Sequence, residues 1–150
     1  MNLFFITGNS GKFSEAQSII PGLIQKDLDL EEIQHIDSQI VIVHKLQEAA
    51  KLISPPFVVE DTSLALNCLN GLPGPLIKWF TKAIGNEGVF NLADKLGNYH
   101  AQAKVTIGYM DQNQQITYFE GVQDGLIVSP RGDQGFGWNP IFQPQGFKGC

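Results

Sequence analysis

Leu3-Phe4-Phe5-Ile6-Thr7-Gly8-Asn9-Ser10-Gly11-Lys12 is the stretch from which the fold class follows. An apolar run of strand length meets a turn carrying Gly8 and Gly11. A helical pattern follows at once, with Phe13, Ala16 and Ile20 at i, i+3 and i+7. Pro21-Gly22 stops it. A strand feeding a helix through a glycine turn is the building unit of α/β proteins.

Working outward, residues 23–30 read as a second strand. Ile42, Leu46, Ala49, Ala50 and Ile53 recur at helical spacing until Ser54-Pro55-Pro56. Residues 57–59 read as a third short strand that ends in Glu60-Asp61. Gly71-Leu72-Pro73-Gly74-Pro75 is a rigid turn, and Pro75 suits the first turn of a helix carrying Ile77, Phe80 and Ile84. Asn86 or Glu87 opens a further short helix reaching Leu96. The period then changes to two. Ala101, Ala103, Val105, Ile107 and Tyr109 alternate with Gln102, Lys104, Thr106 and Gly108. After the turn Asp111-Gln112-Asn113 come Ile116, Tyr118 and Glu120, which predicts a long antiparallel hairpin. Residues 125–128 read as one more short strand. The expected fold is α/β, a mixed twisted central sheet flanked by helices, with two lobes and a ligand cleft between them.

The 150 residues fit a single domain with a real core. Hydrophobic residues at 43% and charged residues at 17% fit a globular chain rather than disorder. No apolar run approaches a membrane span, and Met1-Asn2-Leu3-Phe4-Phe5 lacks a basic leader pattern, so a cytoplasmic location is expected. A net charge of -5 argues against nucleic acid as the main ligand. It leaves room for a small polyphosphate if a few lysines converge and a cation screens the rest. Cys68 and Cys150 form no disulfide framework, and His35, His44 and His100 have no zinc spacing.

Chemistry concentrates in three clusters. In the first, Thr7, Asn9 and Ser10 supply donors, Lys12 a charge, and the helix start unpaired amides, all suited to phosphate. The spacing is not that of a Walker A loop, and the same residues also read as an N-capped helix. In the second, the carboxylates of Glu60-Asp61 alternate across a strand, so only one of them enters a site. Oxygen ligands of this kind suit Mg²⁺, with Asp29, Glu31 or Glu32 as further donors; a solvated acidic turn is the plainer reading. In the third, Gly135-Phe136-Gly137-Trp138-Asn139-Pro140 offers ring faces for stacking and an amide for a base edge. An aromatic-stabilised loop is its plainer reading. Lys45 reads as a solvated helix lysine, and Lys78 as a side chain able to reach phosphate.

Thr7-Gly8-Asn9 with Lys12, Val59-Glu60-Asp61-Thr62, Gly71-Leu72-Pro73-Gly74-Pro75 with Lys78-Trp79-Phe80, Pro130-Arg131-Gly132 and Phe136-Gly137-Trp138 stand in one order. Together they resemble the inosine triphosphate pyrophosphatase family, also called Ham1-like, from Phe4 to Phe147. The resemblance implies hydrolysis of deaminated purine nucleoside triphosphates (ITP, dITP, XTP) to the monophosphate and pyrophosphate, cleansing the nucleotide pool. It implies that Thr7, Asn9, Lys12, Lys45 and Lys78 hold the triphosphate. It implies further that Glu32 and Asp61 hold Mg²⁺, with Glu60 a weaker candidate, that Asp61 and Lys12 are the catalytic residues, and that Thr62, Phe136, Trp138 and Asn139 line the base pocket. A homodimer is implied as well.

Two departures from the family pattern stand out. Asn139 occupies a position where the family usually has Asp, which predicts altered base preference or weaker discrimination. The family pattern also continues beyond Phe147 through a Ser-His-Arg motif and a C-terminal helix, absent from these residues. That predicts flattened specificity, and reduced stability or a dimer covering the exposed face. The competing expectations are a binding remnant with little or no turnover, a Maf-like pyrophosphatase, and a dimeric structural module without a ligand.

Overall fold

The computed structural model describes residues 3–132 and 137–147. Its elements are β1 (Leu3–Ile6), α1 (Ser10–Ile19), β2 (Leu23–Lys26), α2 (Ser38–Ala50), β3 (Phe57–Leu66), β4 (Pro73–Gly74), α3 (Ile77–Leu96), β5 (His100–Met110), β6 (Ile116–Ile127) and β7 (Phe142–Pro144). Short 3-10 turns occupy Asn67–Leu69 and Asn139–Ile141. The strand order is β2-β1-β3-β5-β6-β7, with β4 paired to β3 off that path. β1 runs parallel to β2 and β3, while β4 is antiparallel to β3 and β7 antiparallel to β6. The α/β class and the mixed sheet are as expected.

The chain divides into two compact units, each with its own core. The first comprises residues 1–34, 38–61 and 106–120. Its core is Ile6, Ile42, Leu46, Ala49, Phe57, Val59 and Met110. α2 lies tight on β5 because Gly108 has no side chain: a Cβ there would stand 2.4 Å from Ile42 Cγ2 and 2.9 Å from Leu46 Cδ1. The second unit comprises residues 35–37, 62–105 and 121–150. Its core is Leu64, Leu66, Ile77, Val89, Ala93, Ala101, Ile127, Ile141 and Phe142.

Several elements differ from the sequence expectation. α1 buries none of its residues, and Ile20, expected in its apolar stripe, is exposed and lies beyond the helix end. β2 stops at Lys26 rather than continuing to residue 30. Leu28 and Leu30 still pack on the first core, but as irregular chain. β3 does not end at Glu60-Asp61; it runs on to Leu66, where Leu64 pairs Gly74 and Ala65 pairs Pro73. Tertiary pairing carries the strand through its carboxylates, overriding their weak β-propensity. Residues 125–128 are not a separate strand, since β6 is continuous from Ile116 to Ile127. Its middle is exposed on both faces, so no alternation marks it.

The helix pair around residue 85 does hold. α3 is interrupted at Gly85, whose φ of 70° and ψ of 173° are non-helical. It closes on Gly97, a left-handed cap whose N–H donates to the carbonyls of Ala93 and Asp94. The hairpin turn also holds: Asp111 Oδ1 accepts from the N–H groups of Asn113 at 2.8 Å and Gln115 at 2.9 Å.

Candidate functional site

In the first unit, β1 delivers the chain into the glycine turn and α1 begins immediately after it. Asn9 is the N-cap: its Oδ1 accepts from the Lys12 N–H at 3.0 Å. Thr7 Oγ1 accepts from the Asn9 N–H at 3.1 Å. Both bonds use acceptor lone pairs, so they do not occupy the Thr7 O–H or the Asn9 Nδ2–H₂, groups of the kind that can donate to an anion. The loop is braced from β2, where Gln25 Nε2 donates to the Thr7 carbonyl at 3.0 Å. Gly8 admits Asp27 closely, since a Cβ would lie 3.1 Å from Asp27 Oδ1. Gln25 and Asp27 were not singled out by sequence. Isolated polar residues at a strand end carry no spacing signal.

β3 brings the carboxylates to this loop. Glu60 Oε1 pairs with Lys12 Nζ at 2.5 Å. Lys45, reaching from α2, donates to the Glu60 carbonyl at 2.9 Å and pairs with Glu32 Oε1 at 3.2 Å. Lys45 is therefore not simply a solvated helix lysine; its side chain is only 17% exposed. Sequence reading ranked Glu60 low, yet it is the residue that joins the two lysines.

Asp61, the next residue, alternates to the other face and is buried. Burial pushes its carboxyl up from 3.8 to about 6, against the nearby Lys45; Glu60 and Glu32 raise it further and Lys12 opposes them. Its Oδ2 is buried without a hydrogen-bond partner. An unpartnered carboxylate oxygen beside other carboxylates suits a divalent cation. Among the described residues no group of three or more His, Cys, Asp or Glu side chains makes a ready-made cage. Mg²⁺ needs only one or two carboxylates, taking water and phosphate oxygens for the rest. The residues present fit that ion. Around the loop stand the lysines Lys12 and Lys45 and the carboxylates Asp27, Glu32, Glu60 and Asp61. That balance repels a polyphosphate unless a cation joins it.

In the second unit, Thr62 is half-buried on β3. Lys78 and Trp79 sit at the start of α3, with Lys78 Nζ 5.0 Å and Lys82 Nζ 5.3 Å from the Trp79 ring centroid. Trp138 is half-buried against the second core and meets Phe142 edge-on, with centroids 5.6 Å apart at 86°. Asn139 is exposed and begins the 3-10 turn. Phe136 lies outside the described residues. The structure thus brings Thr7, Asn9, Lys12, Glu32, Lys45 and Asp61 together within the first unit, and places Thr62, Lys78, Trp138 and Asn139 in the second.

Fold and loop chemistry define the class: an α/β protein whose glycine-turn helix start, paired lysines and buried strand aspartate suit a polyphosphate with a divalent cation. The Ham1 family model matches residues 3–150, and the chain belongs to the Ham1 family. It is 44% identical over 150 residues to the inosine triphosphate pyrophosphatase of Batrachochytrium dendrobatidis, covering 97% of this chain and 78% of that one. To the inosine triphosphate pyrophosphatase of Schizosaccharomyces pombe it is 40% identical over 151 residues, covering 98% of this chain and 80% of the relative. The solved structure of the Staphylococcus aureus Ham1 protein superimposes with a TM-score of 0.73 at 26% identity, over 94% of this chain and 80% of that one. The family match favours Ham1 over the Maf-like expectation. No helix among the described residues is long and apolar enough to cross a membrane.

Proposed function

We propose that this protein hydrolyses deaminated purine nucleoside triphosphates (ITP, dITP, XTP) between the α and β phosphates, releasing the monophosphate and pyrophosphate and so cleansing the nucleotide pool. The observation that carries the proposal is the buried Asp61, with its unpartnered oxygen, beside Lys12 and Lys45 at the glycine turn. The names of the relatives support the substrate class.

Thr7, Asn9 and the start of α1 donate to phosphate oxygens. Lys12, Lys45 and Lys78 hold the triphosphate, the first two exchanging their pairing with Glu60 and Glu32 for phosphate. Glu32 and Asp61 hold Mg²⁺, which when bound neutralises phosphate charge and polarises the reacting phosphorus. Asp61 accepts a proton from the attacking water as the water oxygen bonds to the α phosphorus. The bond from that phosphorus to the bridging oxygen breaks, and pyrophosphate leaves with the electron pair. Lys12 stabilises the departing charge. Thr62, Phe136, Trp138 and Asn139 take the base.

A homodimer in the cytoplasm, where nucleotide pools are polished, completes this reading. Sedimentation would test the dimer.

The decisive assay is pyrophosphate release from ITP, with and without Mg²⁺, beside an Asp61→Ala control. Metal-dependent release lost in the control supports hydrolysis. A folded protein that ITP and Mg²⁺ stabilise against heat, yet that releases nothing, is a binding remnant instead. Neither release nor thermal shift defeats both readings.

A further inference from the structure

We propose that Asn86 is a positioning residue for the aromatic segment of the second unit, acting through a hydrogen bond from its side-chain amide to the Gly137 carbonyl. The role in base recognition rests on the functional reading of Trp138 and Asn139 given above.

Asn86 directly follows the break in α3 at Gly85. Gly85, the non-helical residue, stands at the cap position, and Asn86 is the first residue of the helical stretch that follows. Its Oδ1 is buried without a partner, while its Nδ2 donates across 51 residues of sequence to the Gly137 carbonyl at 2.8 Å. A carbonyl can only accept, so the donor end of the amide must face Gly137. The side chain is thus committed to the segment and not to its own helix.

The segment needs such a brace. Gly137 has a φ of 47°, a left-handed conformation that glycine adopts without steric cost and that no side chain of its own helps to fix. After it, the segment is anchored. The Ile141 N–H donates to the Trp138 carbonyl at 3.1 Å, the Arg131 N–H donates to the Pro140 carbonyl at 2.9 Å, and the Trp138 ring meets Phe142. Asn86 holds the other end, one residue before Trp138. Together the two attachments set the plane of the indole and the direction of Asn139. The effect of Asn86 runs through the segment it holds.

The test is Asn86→Asp. That variant keeps the shape but turns an ionised oxygen toward a carbonyl oxygen. It should raise KM for ITP about tenfold with kcat within about twofold, because a base contact is made equally in ground and transition states. Asn86→Ala, which removes the donor without repulsion, should raise KM only about threefold. A second readout needs no substrate. In a Trp79→Phe background Trp138 is the single tryptophan, since the chain has two. Acrylamide quenching of its fluorescence should rise in both Asn86 variants at pH about 8. On acidification to about 3, below the ordinary aspartate value of about 3.9, the N86D carboxyl protonates and donates again. Quenching should then return to the parent value in Asn86→Asp and not in Asn86→Ala.

Unchanged quenching in both variants, or no reversal with pH, overturns the tether. A reversible tether with unchanged KM overturns the positioning role. A parent protein that hydrolyses no ITP defeats the functional reading instead, and the fluorescence experiment still decides the tether.

Discussion

Asp61 in the first unit and Trp138 in the second are held by different forces. Around Asp61 the polar side chains hold one another: Lys12 lies on Glu60, Lys45 on Glu32 and on the Glu60 carbonyl. Around Trp138 the constraint is mostly packing, with Phe142 at the ring edge and the second core against the side chain, plus one hydrogen bond from Asn86 to Gly137. A cluster built from ion pairs can exchange partners. Phosphate can replace Glu60 on Lys12 at little net loss, and the exchange is sensitive to salt, pH and divalent cations. A packed ring gives up its position only by losing contacts, so its geometry is preset and salt-insensitive. On the proposed reading, the charged loop serves the binding and chemistry common to all triphosphates, and the packed segment serves the choice among bases.

The largest effect that could break this contrast is expected at Asp61. Asp61→Asn should lower Mg²⁺-dependent pyrophosphate release by about 10²-fold or more while leaving the protein folded. The same substitution should stabilise the metal-free protein at neutral pH. Because the native carboxyl titrates at about 6 and the unfolded one at 3.8, the native state binds the extra proton between those values. Stability of the parent therefore falls as pH rises through that window, by about 1–3 kcal/mol, and stays lower above it. Thermal melts from pH about 4 to about 8 should show this slope in the parent and a flatter profile in Asn. A release rate insensitive to the substitution would remove the first unit from the chemistry.

Next come the scaffolds of the two regions. Gly108→Ala presses a methyl into Ile42 and Leu46, flexible side chains that can yield in part, and should cost about 1–3 kcal/mol in urea unfolding. Gly125→Ala in the second unit meets the Gln143 carbonyl at 2.4 Å and the Phe142 ring at 2.6 Å. Backbone cannot swing aside, so Gly125→Ala should cost more than Gly108→Ala. The reverse ranking would show that the second unit is the softer one.

A smaller effect is expected at Lys12. Lys12→Ala should reduce kcat/KM for ITP, XTP and GTP alike by about tenfold and weaken its dependence on salt. A loss confined to one base would contradict the division of labour. The smallest effect is expected at Asn139. Asn139→Asp should alter the relative rates for ITP, XTP, GTP and ATP by about threefold, with little change in Mg²⁺ requirement. Unchanged relative rates would take Asn139 out of base choice.

Much of the first unit was legible in its residues. The strand, glycine turn and capped helix from Leu3 onward have local causes, and the structure reproduces them. Lys12 and Asp61 could be named because a lysine after a glycine turn and an acid on a strand each carry a chemical signal. Lys45, Glu60, Gln25 and Asn86 were undervalued or missed. Each is an ordinary polar residue on an ordinary element, and its partner lies far along the chain.

β5 shows where local reading stops. Ala101, Ala103, Val105, Ile107 and Tyr109 form one alternating apolar row, which predicts one buried face. Ala101 is indeed buried, but Val105 is 38% and Ile107 36% exposed, while Thr106, Gly108 and Met110 are buried. β3 shifts likewise, from Phe57, Val59 and Asp61 to Leu64 and Leu66. The amino-acid sequence by itself determined that these segments are strands, where the glycine turn and the Gly85 break fall, and which residue types are present for phosphate and cation chemistry. These depend on backbone sterics and side-chain chemistry within a few residues. Only the tertiary structure decided which face of each strand is inside, that Asp61 lies within a strand and not at its end, and that Glu60 joins Lys12 to Lys45. A period of two states that faces alternate; what packs against them states which one is buried.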